Sequence, residues 1–205
     1  MSELGLDAGA LLWVLVGALP LLLVACTPFA KLSIVLGALR IGLSAELLLP
    51  MGVVLVLSLL LTVIAMTPVL VAVGAGVDAA GGWESLATAD LSTWLKVLSP
   101  WIEFLRAHCH PEELEFFSGL MGAAPTDPRV LLPAFLVSEL AEALTMTVLL
   151  LVPFVLIDLI VAQLLVLLEM PNLPPKVLAL PAKLLLFLAA GGWDLLLGRL
   201  MEAYA

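Results

Sequence analysis

The sequence predicts an all-α, multi-helix protein of the membrane type, and three observations carry that prediction. Of the 205 residues, 63% are apolar and only 12% charged, whereas soluble domains run about 45–50% apolar and about 25% charged. Mean hydropathy is +1.24. The apolar residues are chiefly Leu, Val and Ala in unbroken runs, without the alternation and aromatic girdles of a membrane barrel.

The first apolar block runs from Leu11 to Cys26 and passes through Pro28 into "KLSIVLGALR". Its leading residues include Glu3 and Asp7 rather than a basic n-region, so it reads as a retained hydrophobic helix and not a cleaved signal. Met51–Val73, the second block, carries no charge and is long enough for a hydrocarbon core of about 30 Å. Pro68 near its end is expected to mark a bend against a neighbouring helix, so that this block is not an ordinary lipid-facing span. The third block is Val148–Leu168, preceded by the helical-looking "FLVSELAEALTM". The fourth, Val177–Leu197, is apolar except for Lys183 and Asp194.

Between the second and third blocks lies Gly74–Arg129, the one stretch of soluble character. "GAGVDAAGGW" opens it as a Gly/Ala linker, and "GAAPTDP" closes it with turn chemistry. Pro111 followed by Glu112 and Glu113 suits a first helical turn, where proline's missing N–H costs nothing and acids meet the positive end of the helix dipole. The expected organisation is 1–73 as N-terminal hydrophobic helices, 74–130 as a small helical subdomain, and 131–205 as a C-terminal hydrophobic hairpin. Residues 74–129 hold eight acids against three bases, while the short links elsewhere carry Lys31, Arg40 and Lys176. By the positive-inside rule those links face the cytoplasm, and the acidic subdomain and both termini face outward.

Several function classes fall away. Net charge is −9 with eight Lys and Arg dispersed along the chain, so no basic patch exists for nucleic acid. His108-Cys109-His110 looks like metal ligands, but alternate positions do not share a helix face, and no second ligand cluster accompanies them. Cys26, in an apolar run, reads as a small hydrophobe. Ser138 has no base nearby in sequence, and neither a Gly-rich phosphate loop nor H-E-x-x-H occurs. Neither an enzyme nor a cofactor is expected.

A plain four-span protein leaves some residues unexplained. Pro20, Pro28, Pro68, Pro153 and Pro181 each remove a helix hydrogen bond. Lys31, Arg40, Glu139, Glu142, Asp158, Lys183 and Asp194 sit in or beside apolar runs, where a charge at the bilayer centre costs about 2.5–3.5 kcal/mol on insertion scales. Snorkelling at helix ends accounts for Lys31 and Lys176. It does not account for Asp158, which is expected to pair with Arg40 or Lys183. Two readings satisfy these charges: a helical assembly in which they meet partners, or a proton-coupled or solute transporter with buried acids. Against the transporter, no inverted repeat is evident.

Specific strings then accumulate: "TPFAKLSIVLGALR" (27–40), "LLLTVIAMTPV" (59–69), "LLPAFLVSELAEAL" (131–144), "LVPFVLIDLIVAQLL" (151–165), "LPPKVLALPAKLLLF" (173–187) and "GGWDLLLGRL" (191–200). In content and order they resemble the FliP/SctR family, the export-gate subunit of type III secretion systems, with "GGWD" and the short outer segment closer to the virulence branch than the flagellar one. The resemblance implies a bacterial inner-membrane protein without enzymatic activity. It also implies five copies winding with SctS-like and SctT-like subunits into a cone raised toward the periplasmic side. SctU-like and SctV-like components would adjoin it, and unfolded secreted polypeptides would pass through. The family closes its pore with a methionine-rich loop after the third block, following a glycine. Here residues 169–175 correspond: Met170 remains, Glu169 stands in the glycine's place, and Pro171 and Asn172 replace methionines. The family often has a base soon after Ser-Glu-Leu, where this sequence has Glu142. The resemblance thus names Met170, Glu169, Pro171 and Asn172 as gate residues, and Asp158, Arg40, Lys183, Glu139 and Glu142 as buried charges of the assembly.

Overall fold

A computed structural model describes residue 17 and residues 20–86, 89–170 and 172–204. Every regular element among the described residues is an α-helix. In chain order these are α1 (Pro20–Cys26), α2 (Phe29–Gly42), α3 (Met51–Ala79), α4 (Trp83–Leu86), α5 (Leu91–Val97), α6 (Ser99–Ala107), α7 (Pro111–Met121), α8 (Pro128–Leu167), α9 (Lys176–Ala189) and α10 (Gly192–Glu202). Most of the expected first hydrophobic helix, Leu11–Cys26, lies outside the described residues.

Two of these helices, α3 and α8, are long and apolar enough to cross a membrane, and α1 with α2 and α9 with α10 form two further bent candidates. Polar side chains within α3 do not interrupt it. Ser58 donates to the Val54 carbonyl at 2.8 Å, Thr62 to Ser58 at 2.7 Å and Thr67 to Val63 at 2.8 Å, the back-bonding that lets hydroxyls sit in an apolar helix. Pro68 lies inside α3, which continues eleven residues beyond it. The helix tolerates the one lost donor and runs on past it. The third apolar block and its preceding segment prove to be one helix, α8, of 40 residues. At 1.5 Å per residue it is about 60 Å long, twice a hydrocarbon core of about 30 Å.

The fourth apolar block is not one helix. It breaks at Gly191, whose φ of 62° and ψ of 39° are left-handed, and α9 and α10 diverge by 62°. Only glycine adopts that conformation without a β-carbon penalty. Hydropathy averaged across "LAAGGWDLL" conceals a break that the paired glycines impose.

The described residues fall into two compact units. One comprises the described residues up to Ala30 together with Val69–Glu139. Within it Val77, Leu86 and Val97 form a small core flanked by Val73 and Trp94. Trp101 donates its indole N–H to the Cys26 carbonyl at 2.9 Å, and Phe104 meets Phe135 with ring centroids 6.1 Å apart. Asp90 caps α5 by accepting from the Thr93 N–H. Hydrogen bonds from Ser92 and Thr93 hold its carboxyl down at about 2. Asp127, before α8, is likewise held at about 2 by the Arg129 side chain. Both caps act as carboxylates, so their support is present above the ordinary carboxylate range and is lost as pH falls toward 2. α7 starts at Pro111 and ends at Gly122, which is left-handed, as the Pro/Gly asymmetry of helix ends requires. Burial, with the Glu139 charge as a lesser contribution, pushes the Cys109 thiol up to about 11. The hydroxyl of Ser138 accepts from the His110 backbone N–H at 2.8 Å and donates to the Ala134 carbonyl at 2.8 Å. These contacts tie Ser138 to the His110 backbone and to its own helix.

The second unit, Lys31–Pro68 with Leu140–Ala205, holds the larger apolar clusters. Leu32, Val35, Leu36, Val54, Ala143 and Leu200 form one of them, joining α2, α3, α8 and α10. Another centres on Leu39, Leu43, Phe154 and Phe187. Gly42 permits that contact, since a β-carbon there would lie 2.7 Å from side-chain carbons of both Leu151 and Phe154.

Candidate functional site

The turn after α8 ends the helix with a left-handed residue that is not glycine. Glu169 has φ of 56°. Its N–H bonds the Val166 carbonyl at 3.1 Å, and the Met170 N–H reaches back to the Leu165 carbonyl at 3.0 Å. This pair of bonds is a Schellman cap, with Glu169 where glycine is usual. Met170 follows it at 47% exposure, while Leu165 beneath is buried in a cluster with Val161 and Ala179. Pro171 lies outside the described residues. The chain turns on through Asn172 and Leu173, whose N–H bonds the Met170 carbonyl at 3.2 Å, and resumes as α9 at Lys176. Met170 is therefore presented by a fixed, hydrogen-bonded turn.

A β-carbon in the left-handed region costs about 1–2 kcal/mol, partly offset by the freedom that glycine loses on folding. Glu169→Gly is accordingly expected to raise stability by about 0.5–1 kcal/mol. Thermal unfolding in detergent reads this directly, and a loss of stability would show that Glu169 makes contacts worth more than its strain.

Two buried lysines of the second unit are each paired with a carboxylate. Lys31, 0% exposed, places Nζ 2.5 Å from Glu142 Oε2 and 4.6 Å from the centre of the Tyr204 ring, within cation–π range. The snorkelling expected of Lys31 is thus corrected. Its ammonium turns inward because a carboxylate and an aromatic face await it there. Glu142, expected among the buried charges, is the acid of that ion pair. Lys183, 2% exposed, places Nζ 2.7 Å from Asp158 Oδ2 and also donates to the Ser44 hydroxyl at 3.2 Å. The Asp158 side chain remains 48% exposed.

Arg40, the other base expected near Asp158, lies elsewhere. Its Nε donates to the Leu49 carbonyl at 2.6 Å, tying α2 to the loop before α3, because a guanidinium with several donors satisfies loop carbonyls that have no helical partner. In the other unit, Glu139 is buried at 1% exposure. Lys176, at the start of α9, is exposed. Sequence reasoning missed the Tyr204 contact with Lys31. Spacing offered no signal for it, since those residues stand at opposite ends of the chain.

Residues 12–200 match the FliP family. The chain belongs to the FliP family. It is 32% identical over 206 residues to the virulence protein YscR of Salmonella typhimurium, covering 93% of each chain. It is also 33% identical to the pathogenicity-related ORF2 of Xanthomonas campestris pv. glycines, covering 97% of this chain and 98% of that one. The flagellar biosynthetic protein FliP of Aquifex aeolicus is 31% identical, across 90% of this chain and 80% of its own length. End-to-end coverage by the virulence proteins favours that branch of the FliP family. Membership makes the chain a non-enzymatic export-apparatus subunit of type III secretion, which enters the export-gate assembly. The candidate spans and the FliP family place it in the inner membrane.

Proposed function

We propose that this chain is a structural wall of the secretion pore, with copies arranged in a ring and the 169–175 turns converging on its axis. The observation that carries the reading is the presentation of Met170. It stands half-exposed at the tip of a long apolar helix, in a capped turn between Glu169 and a proline-rich stretch that cannot continue the helix. In a closed ring, symmetry brings the same turn of every copy to one axis, and unbranched thioethers fill irregular gaps. Such a ring would exclude water and ions yet yield to an unfolded polypeptide, with Glu169, Pro171 and Asn172 shaping its rim.

The family pattern supports five copies, with SctS-like and SctT-like subunits completing the cone and SctU-like and SctV-like components beside it. The length of α8, about twice the hydrocarbon thickness, supports a cone standing largely on the periplasmic side. The half-exposed Asp158 and its apolar neighbours on α8 suit a subunit contact, with the buried Lys183 holding the carboxylate from behind. Residues 74–130 suit an outward-facing subdomain, because α7 carries Phe116, Leu120 and Met121 exposed beside an acidic first turn.

Met170→Ala in the assembled complex is expected to increase ion leak across proteoliposomes without altering assembly. Unchanged conductance in a correctly assembled complex would place the seal in another subunit.

A further inference from the structure

In the stretch Val148–Leu167 of α8, Asp158 and Gln163 are the only polar residues. Phe154, Val161 and Leu165 are buried and mark the face that α8 turns into its own unit. At about 100° per residue, Asp158 lies at the edge of that face, about 40° from its centre. Gln163 lies about 180° from the same centre. Neither polar group is covered. Lys183 takes Asp158 Oδ2 at 2.7 Å, and 48% of the aspartate side chain stays exposed. Gln163 is exposed as well, among Leu159, Ile160, Leu164 and Val166, which are 50–68% exposed.

The chemistry of the two groups selects what meets them. An ionised carboxylate only accepts, and with about four lone-pair sites it has room for another donor beside one ammonium. A second cation would add an unbalanced charge to an apolar surface, where charge is costly. A neutral N–H satisfies the carboxylate without that cost. Gln163 carries such a donor in its side-chain amide. The hydroxyls of Thr67 and Thr145 are already given to the Val63 and Ala141 carbonyls. Asp158 and Gln163 stand about 140° apart around α8, so they cannot both face one neighbour across a twofold axis. A head-to-tail contact uses both, since each copy then offers an acceptor on one side and a donor on the other, and such contacts close into rings. We propose that a second copy of this chain covers this part of α8, its Gln163 amide donating to Asp158. The five residues between the two groups advance about 7.5 Å, so neighbouring α8 helices meet at a tilt. This contact rests on the ring reading given above.

The test uses the full chain co-expressed with SctS-like and SctT-like subunits, in two differently tagged forms within one cell. One form carries Gln163→p-benzoylphenylalanine. Irradiation should join position 163 of that form to the Val155–Leu159 segment of the other, in products that carry both tags. Without the probe, Gln163→Leu should lower the share of complexes that survive detergent with both tags by about threefold, the average for one hydrogen bond between membrane helices. Gln163→Glu keeps the size but replaces the donor with a like charge, and should lower it further. Asp158→Asn combined with Gln163→Glu exchanges the two groups and should recover assembly relative to Gln163→Glu alone. Crosslinks from position 163 to a partner subunit, to lipid or within its own copy would overturn the proposal, as would a Gln163→Glu complex as stable as the unsubstituted one. Complexes that never carry both tags would overturn the ring reading itself.

Discussion

Replacing Glu142 with leucine is expected to destabilise the protein by about 3 kcal/mol, the low end of the range for breaking a buried ion pair. The low end applies because the Glu142 side chain is 35% exposed, whereas that of Lys31 is 1% exposed. Removing the acid takes a carboxylate 2.5 Å away from a fully buried ammonium that still faces the Tyr204 ring. Removing the base is milder, since a third of Glu142 is already outside the protein interior. Lys31→Met is therefore expected to cost about 1–2 kcal/mol, comparable to leaving one polar group unsatisfied. For a chain of this size, 3 kcal/mol corresponds to a fall of roughly 6–12 °C in Tm. A double-mutant cycle on unfolding in detergent should give a coupling of about 1–3 kcal/mol. Coupling below about 0.5 kcal/mol, the additivity limit, would mean that the two groups do not act as a pair.

The second pair should show the same asymmetry. Lys183 is 2% exposed and the Asp158 side chain 48% exposed, so Asp158→Leu leaves the buried ammonium with the Ser44 hydroxyl as its remaining side-chain contact in this pair. A loss of about 2–3 kcal/mol is expected, against about 1 kcal/mol for Lys183→Met. The leucine variant is the more hydrophobic chain and would be the better membrane helix by composition. A gain of stability on Asp158→Leu, or a larger loss on Lys183→Met, would show that the carboxylate rather than the ammonium is the trapped charge.

Composition made the fold class legible, because a chain so rich in Leu, Val and Ala has no water-soluble alternative. Local chemistry made some helix ends legible too. Pro111 and Gly122 bound α7 through backbone effects that depend on those residues alone. The break at Gly191 was obscured because an apolar average weighs glycine by its hydropathy and ignores its dihedral freedom. Glu169 in the left-handed region was illegible for the opposite reason, since residue type argues against that conformation and only the surrounding hydrogen bonds impose it. Lys31 was misread as a snorkelling residue because the geometry that draws it inward is tertiary. Between Arg40 and Lys183, spacing could not choose a partner for Asp158, as both lie on other helices. The roles proposed for the 169–175 turn rest on the family resemblance, and no local rule of helix formation points to them.

The partner of Lys31 is 111 residues further along the chain, and this separation becomes a delay during synthesis. At roughly 5–20 residues per second, a ribosome that has just made Lys31 needs on the order of 5–20 s more to deliver Glu142. For that interval the α2 ammonium lacks the Glu142 carboxylate it meets in the folded chain, and a charge at the bilayer centre costs about 2.5–3.5 kcal/mol. The favourable place for its positive charge is then the water interface, the very position that snorkelling describes. The contact between α2 and Glu142 of α8 is expected to form only after the nascent C-terminal half supplies the carboxylate. One of the earliest helices translated is thereby among the last to settle.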